Sequence, residues 1–137
     1  MSGTDIWAAY LQGSRGKLLV RAGVATKDVA AYINGLADAL NEGALLADLG
    51  NGLVYAVGTH VKDAEEARRW VETLRYWRQP ALGMDGYAVV MDMPDDWREE
   101  IDRWGYKPEA VDLMRGLKRR WDPEGILNVG EFIIAFP

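Results

Sequence analysis

The chain has 137 residues, 49% hydrophobic and 27% charged, the balance of one globular domain that hides roughly two thirds of its unfolded surface without disulfides or structural metal. It has no cysteine and one histidine, His60, which excludes a disulfide framework, a zinc ribbon, an iron–sulfur site and thiol catalysis. The net charge of −5 repels a phosphate backbone on average, no apolar run approaches the ~20 residues of a membrane span, and residues 1–12 lack the basic and apolar stretches of a signal peptide. The expectation is a cytoplasmic protein with no membrane span and no nucleic-acid partner.

Lys17 to Ala22 is short, branched and bounded by Gly16 and Gly23, which predicts a strand. Thr26 then offers an N-cap to a helix over 27–41, where Val29, Ile33, Leu36 and Leu40 recur at helical steps and Gly43 ends the run. Strands over 44–48 and 53–58 follow, joined by a hairpin at Asn51-Gly52, a pair that tolerates positive φ. A second helix covers 62–78, with Ala64, Ala67, Val71 and Leu74 on one stripe, Trp70 and Trp77 widening it, and Gln79-Pro80 to stop it. Tyr87 to Met93 is the fourth strand, closed by Pro94.

This order, β-α-β-β-α-β, predicts an α+β fold of ferredoxin-like type: a four-stranded antiparallel sheet with both helices on one face and the other face open. On the first strand Lys17, Leu19 and Arg21 alternate with Leu18, Val20 and Ala22, and the polar set is assigned to the open face. Beyond the sheet, Asp96 and Glu99 suggest a capping box for a short helix carrying Trp97, Ile101 and Trp104 and ended by Gly105. Pro108 suits the first turn of a last helix, with Leu113, Met114, Leu117 and Trp121 as its buried stripe up to the Asp122-Pro123 turn. The five tryptophans from Trp70 onward all fit such stripes and read as core, with interface anchoring as the alternative. The whole is expected to be a single domain, with residues 1–94 as the ferredoxin-like part and 95–137 as a helical extension and apolar tail.

No nucleophile and base can be assembled. Ser2 and Ser14 lie among glycines without an elbow motif, and no Gly-x-Gly-x-x-Gly or phosphate loop occurs. Asp95, Asp96, Glu99, Glu100 and Asp102 read as a charged helix start, and Arg115, Lys118, Arg119 and Arg120 as the basic last turns of a helix. His60 follows the third strand, a position that is ordinarily surface loop and that can also touch a ligand at the strand end.

Trp104-Gly105, Leu113-Met114-Arg115-Gly116-Leu117-Lys118 and the run from Asp122-Pro123-Glu124-Gly125-Ile126-Leu127-Asn128 to Val129-Gly130-Glu131-Phe132 form a recognisable tail. It resembles the C-terminal cap domain of FAD-linked oxidases of the vanillyl-alcohol oxidase type, and within that family the glycolate oxidase E-subunit branch. Val129 stands where the family has proline, Glu131 where it has a basic residue and Trp121 where it has phenylalanine.

The resemblance implies a ferredoxin-like cap whose open sheet face shapes the substrate pocket over a flavin held by a separate glycine-rich domain. Nothing like that domain lies in these residues, so a truncated chain or a split-gene product is expected, with FAD reached only through a flavin-binding partner. The implied substrate is a 2-hydroxy acid, with Arg21, Tyr55 and His60 as substrate-binding candidates and Asn128 and Gly130 beside the cofactor. An uncovered sheet face and a bare Phe132 to Phe136 tail further predict self-association. The competing reading is a freestanding α+β binding or assembly module without catalytic activity.

Overall fold

The computed structural model describes residues 3–13, 17–37, 43–58, 64–98, 101–130 and 132. The chain divides into two compact units, Met1–Gly105 and Tyr106–Pro137. In the first, helix α1 (Gly3–Gly13) precedes strand β1 (Leu19–Gly23), helix α2 (Val29–Ala37), strands β2 (Gly43–Asp48) and β3 (Leu53–Gly58), helix α3 (Ala64–Gly83) and strand β4 (Tyr87–Asp92). The sheet order is β2-β3-β1-β4 with every pair antiparallel, the arrangement of a split β-α-β unit. The α+β expectation is met, and the four strands lie within two residues of their predicted bounds.

Alternation along the strands sorts the two faces. Val20 and Ala22 of β1, Val54 and Ala56 of β3, and Ala88 and Val90 of β4 turn toward α2 and α3 and join Tyr32, Leu36, Trp70, Leu74 and Trp77 in one core. Tyr32 is fully buried, and its hydroxyl donates to the Trp77 carbonyl at 3.1 Å. Burial raises the Tyr32 phenol above its ordinary value, so it remains a donor. Among the described residues no helix is long and apolar enough to cross a membrane.

Several local expectations are corrected. Thr26 does not cap α2; it opens a 3-10 turn, Thr26–Asp28, that leads into the helix, and residues 38–42 lie outside the described set. Gln79-Pro80 does not stop α3, which runs through Pro80 to Gly83 because the turn beyond brings Ala81 to zero exposure in the core. Its real end is a Schellman closure: Gly86 N–H donates to the Ala81 carbonyl, Asp85 N–H donates to that of Leu82, and Asp85 takes φ +55°.

The short helix expected around Trp97 to Trp104 is, among the described residues, a 3-10 turn, Asp95–Trp97, followed by irregular chain. Trp97 and Ile101 still reach the core. The irregular course has a purpose at the sheet edge, because Val90 N–H donates to the Arg103 carbonyl, Arg103 Nε donates to the Val90 carbonyl and Arg78 Nε to that of Ala88. Two arginines thus occupy the polar groups an edge strand leaves open. The Asp102 carboxylate, read as part of an acidic cluster, accepts instead from the N–H groups of Trp104 and Gly105.

The second unit contains helix α4 (Val111–Trp121) and the loop after it. Pro108 precedes the helix rather than starting it, its carbonyl accepting from Val111 N–H. The predicted buried stripe is overturned: Leu113 is 67% exposed, Leu117 38% and Trp121 72%, and only Met114 is half-buried. The helical period was read correctly and its inward face was not, since Val111 is the buried apolar residue of this helix.

Candidate functional site

Two places carry the residues singled out from sequence, one in each unit. In the first, Arg21 lies on the central strand β1, opposite Tyr55 of β3 and Val89 of β4, on the sheet face turned away from α2 and α3. That assignment holds, but the face is not open at Tyr55. The Trp7 ring of α1 meets the Tyr55 ring edge to face at 4.7 Å and 78°, and the Tyr10 hydroxyl donates to the Ala44 carbonyl of β2 at 3.1 Å. α1 was not anticipated, although Trp7 and Tyr10, three residues apart and 6.4 Å between ring centroids, are the helical pair that announces it. With Leu19, Val57 and Val89 also buried, the expected bare sheet patch is reduced to a smaller surface around Arg21.

Arg21 is half-buried and its Nε is buried without an acceptor. Its guanidinium carbon lies 5.7 Å from the centre of the Tyr87 ring, a cation–π distance. Tyr87 reaches this position because it stands opposite Gly23, where a Cβ would come within 2.6 Å of the ring. The result is a cation with an unused donor between two tyrosines, and a buried donor without a partner costs about 1–3 kcal/mol that an incoming anion recovers. Tyr87 was missed in sequence because its place beside Arg21 depends on the β1–β4 register. His60 lies outside the described residues.

In the second unit Asp122, 4% exposed, organises the loop that ends α4. Its carboxylate accepts from Ile126 N–H at 2.9 Å, from Leu127 N–H at 3.1 Å and from the Lys118 ammonium, which also donates to the Leu127 carbonyl at 2.6 Å. The loop presents Asn128 and Gly130 at its surface, both left-handed, with φ of +50° and +76°. A cavity of about 270 Å³ lies between Lys118, Trp121, Asp122, Leu127, Asn128 and Phe132.

The cavity falls below the ~300–1,000 Å³ usual for small-molecule sites, and its cation and carboxylate are engaged with each other. The Lys118 hydrogen bond, with those from Leu127 and Ile126, holds the Asp122 carboxyl below its ordinary 3.8. The folded loop therefore binds fewer protons than the unfolded chain, so its anchoring is complete above about pH 4 and is lost as the pH falls through the lower folded value. The Ile126 and Leu127 amide shifts, followed by NMR from about pH 6 to 2, are expected to titrate together with a midpoint below 3.8. A midpoint at or above that value would contradict the anchoring.

Residues 100–132 match the family model for FAD linked oxidases, C-terminal domain. The match spans α4 and the Asp122 loop and stops short of the sheet, so it supports the resemblance where the tail motif lies. Comparison with curated proteins finds no match for the chain.

Proposed function

We propose that this chain is the substrate-facing cap of an FAD-dependent 2-hydroxy-acid oxidase or dehydrogenase of glycolate type, working in the cytoplasm with a flavin-binding domain that lies outside these residues. The observation that carries the reading is the match of residues 100–132 to the C-terminal domain of FAD linked oxidases. The flavin-binding partner supplies the redox chemistry, and the cap supplies shape and charge. Arg21 binds the substrate carboxylate through its unused Nε donor and a neighbouring N–H, with Tyr55 and Tyr87 as walls. His60, two residues beyond β3 in the sequence, is the remaining candidate for substrate contact. The Asn128 to Gly130 surface of the Asp122 loop lies against the flavin domain.

The test is co-expression with the flavin-binding protein encoded nearest to it, reading glycolate-dependent dye reduction. Arg21→Ala is expected to raise KM for glycolate about 10- to 100-fold, the value of one charged hydrogen bond. Asn128→Ala is expected to weaken activity without changing KM in the same proportion. Stoichiometric flavin bound by this chain alone would sink the division of labour, and an unchanged KM in the Arg21 variant would remove the carboxylate contact.

A further inference from the structure

The two edges of the sheet are finished differently. On β4 the outward backbone groups are taken up by other parts of the chain: Val90 N–H donates to the Arg103 carbonyl, Arg103 Nε to that of Val90 and Arg78 Nε to that of Ala88. The opposite edge is β2. Gly58 N–H donates to the Leu18 carbonyl and Val24 N–H to that of Gly52, so the even-numbered residues of β3 turn their backbone groups to β1, and Leu53, Tyr55 and Val57 turn theirs to β2. Ala44, Leu46 and Asp48 answer them in the register Leu46↔Tyr55, which leaves Leu45 and Ala47 with N–H and C=O directed out of the sheet. Among the described residues these groups have no partner.

β2 also lacks the features that keep an edge strand from pairing. Its register with β3 is unbroken, its sequence Gly-Ala-Leu-Leu-Ala-Asp holds no lysine or proline, and its single charge, Asp48, is engaged by the Gly50 and Asn51 amides of the turn. Leu45 and Ala47 pack on the core side and Ala44 and Leu46 lie on the other, so the strand is apolar on both faces, the pattern of a strand inside a sheet. The strand that completes it must offer a free edge of its own and be apolar on both faces, and β2 of another copy is such a strand. We propose that β2 pairs antiparallel with β2 of a second copy of this chain, about a twofold axis at Leu46. Leu45 then stands opposite Ala47 of the partner subunit, and Ala47 opposite Leu45 of the partner subunit, each pair exchanging donor and acceptor and setting leucine against the smaller alanine. Every outward group of Leu45 and Ala47 is used in this register. Because the β4 edge is occupied, the pairing closes as a dimer with one continuous sheet and does not propagate. A contact this short falls below the ~800 Å² per partner of a stable interface, so the dimer is a weak one.

The chain contains no cysteine, so introduced ones report directly. On the axis Leu46 meets its copy across a non-hydrogen-bonded pair, with Cα atoms ~4.5 Å apart and within disulfide reach. In the full chain, Leu46→Cys is expected to cross-link under mild oxidation about tenfold or more faster than Met91→Cys on the occupied β4 edge. Sedimentation from about 10 to 500 µM should show a concentration-dependent dimer. Ala47→Pro removes only an outward N–H, so the ladder to β3 is kept, and the dimer is expected to weaken by about tenfold or more. Leu46→Lys and Leu46→Glu should each weaken it to the same degree, because like charges meet on the axis, and their equimolar mixture should recover association to within about threefold of the unaltered chain. Exchange of the Leu45 and Ala47 amides should slow about tenfold or more across this concentration range, against less than about threefold for the Leu46 amide already bonded to β3. Circular dichroism checks that each variant remains folded. A monomer throughout, equal cross-linking at the two cysteines, association indifferent to Ala47→Pro, or a mixture no tighter than its components would each overturn the pairing. So would an edge that serves a different strand, seen as Ala47→Pro weakening a complex with the flavin-binding partner while this chain alone stays monomeric.

Discussion

Trp77→Ala is expected to lower the unfolding free energy by about 3–5 kcal/mol, read as a shift in the urea midpoint, whereas Trp77→Phe is expected to cost less than about 1.5 kcal/mol. Trp77 is 1% exposed, and its ring meets that of Trp70 edge to face at 6.0 Å. Truncation to alanine leaves a cavity in the helix layer of the core and removes the ring pair, and that loss is a large part of the ~5–15 kcal/mol available to a domain of this size. Phenylalanine keeps most of the ring area. It also removes Nε1, which is buried without an acceptor, so no hydrogen bond is lost with it. If the phenylalanine variant were as damaged as the alanine variant, an unseen partner of Nε1 would have to be supplied and the purely apolar account of this position would be wrong.

The same position explains why part of the fold was legible in the sequence. Strands betrayed themselves by alternation, and the Asn51-Gly52 turn by its chemistry, because both signals are local. Tyr32 and Trp77, which define the centre of the helix layer, could not be ranked above Val71 without knowing which helix face the sheet would meet. Pro80 misled because the missing N–H counts against a helix locally, while burial of Ala81 favours continuing it only after the sheet exists. The α4 stripe failed for the opposite reason: period identifies a face, and nothing in the period says whether that face turns inward or outward. At the candidate site, the face of Arg21 was readable from parity, but its neighbours Tyr87 and Trp7 depend on register and on a helix whose aromatic pair went unread.

Gly52→Ala is expected to cost about 2–4 kcal/mol, and Gly50→Ala in the same turn to be neutral or stabilising by up to about 1 kcal/mol. Gly52 has φ +71°, a conformation an L side chain adopts only at about 1–2 kcal/mol. Its Cβ would stand 2.1 Å from the Val24 carbonyl oxygen, a backbone atom that cannot rotate away. Relieving that overlap moves the turn from the chain leaving β1 and weakens the 2.9 Å hydrogen bond from Val24 N–H to the Gly52 carbonyl, worth a further ~0.5–1.5 kcal/mol. Gly50 differs on both counts: its φ is not in the left-handed range, and its nearest neighbour, the Asp48 Oδ1 that accepts its N–H, would lie 3.5 Å from a Cβ, an ordinary contact. Alanine there keeps the Asp48 hydrogen bonds to Gly50 and Asn51 N–H and removes freedom from the unfolded chain. Urea denaturation of the two variants, with hydrogen exchange at the Val24 amide as the local readout, separates the cases. Equal stability of both, or unchanged protection of Val24 in the Gly52 variant, would show that the hairpin tip does not hold the end of β1 as its geometry requires.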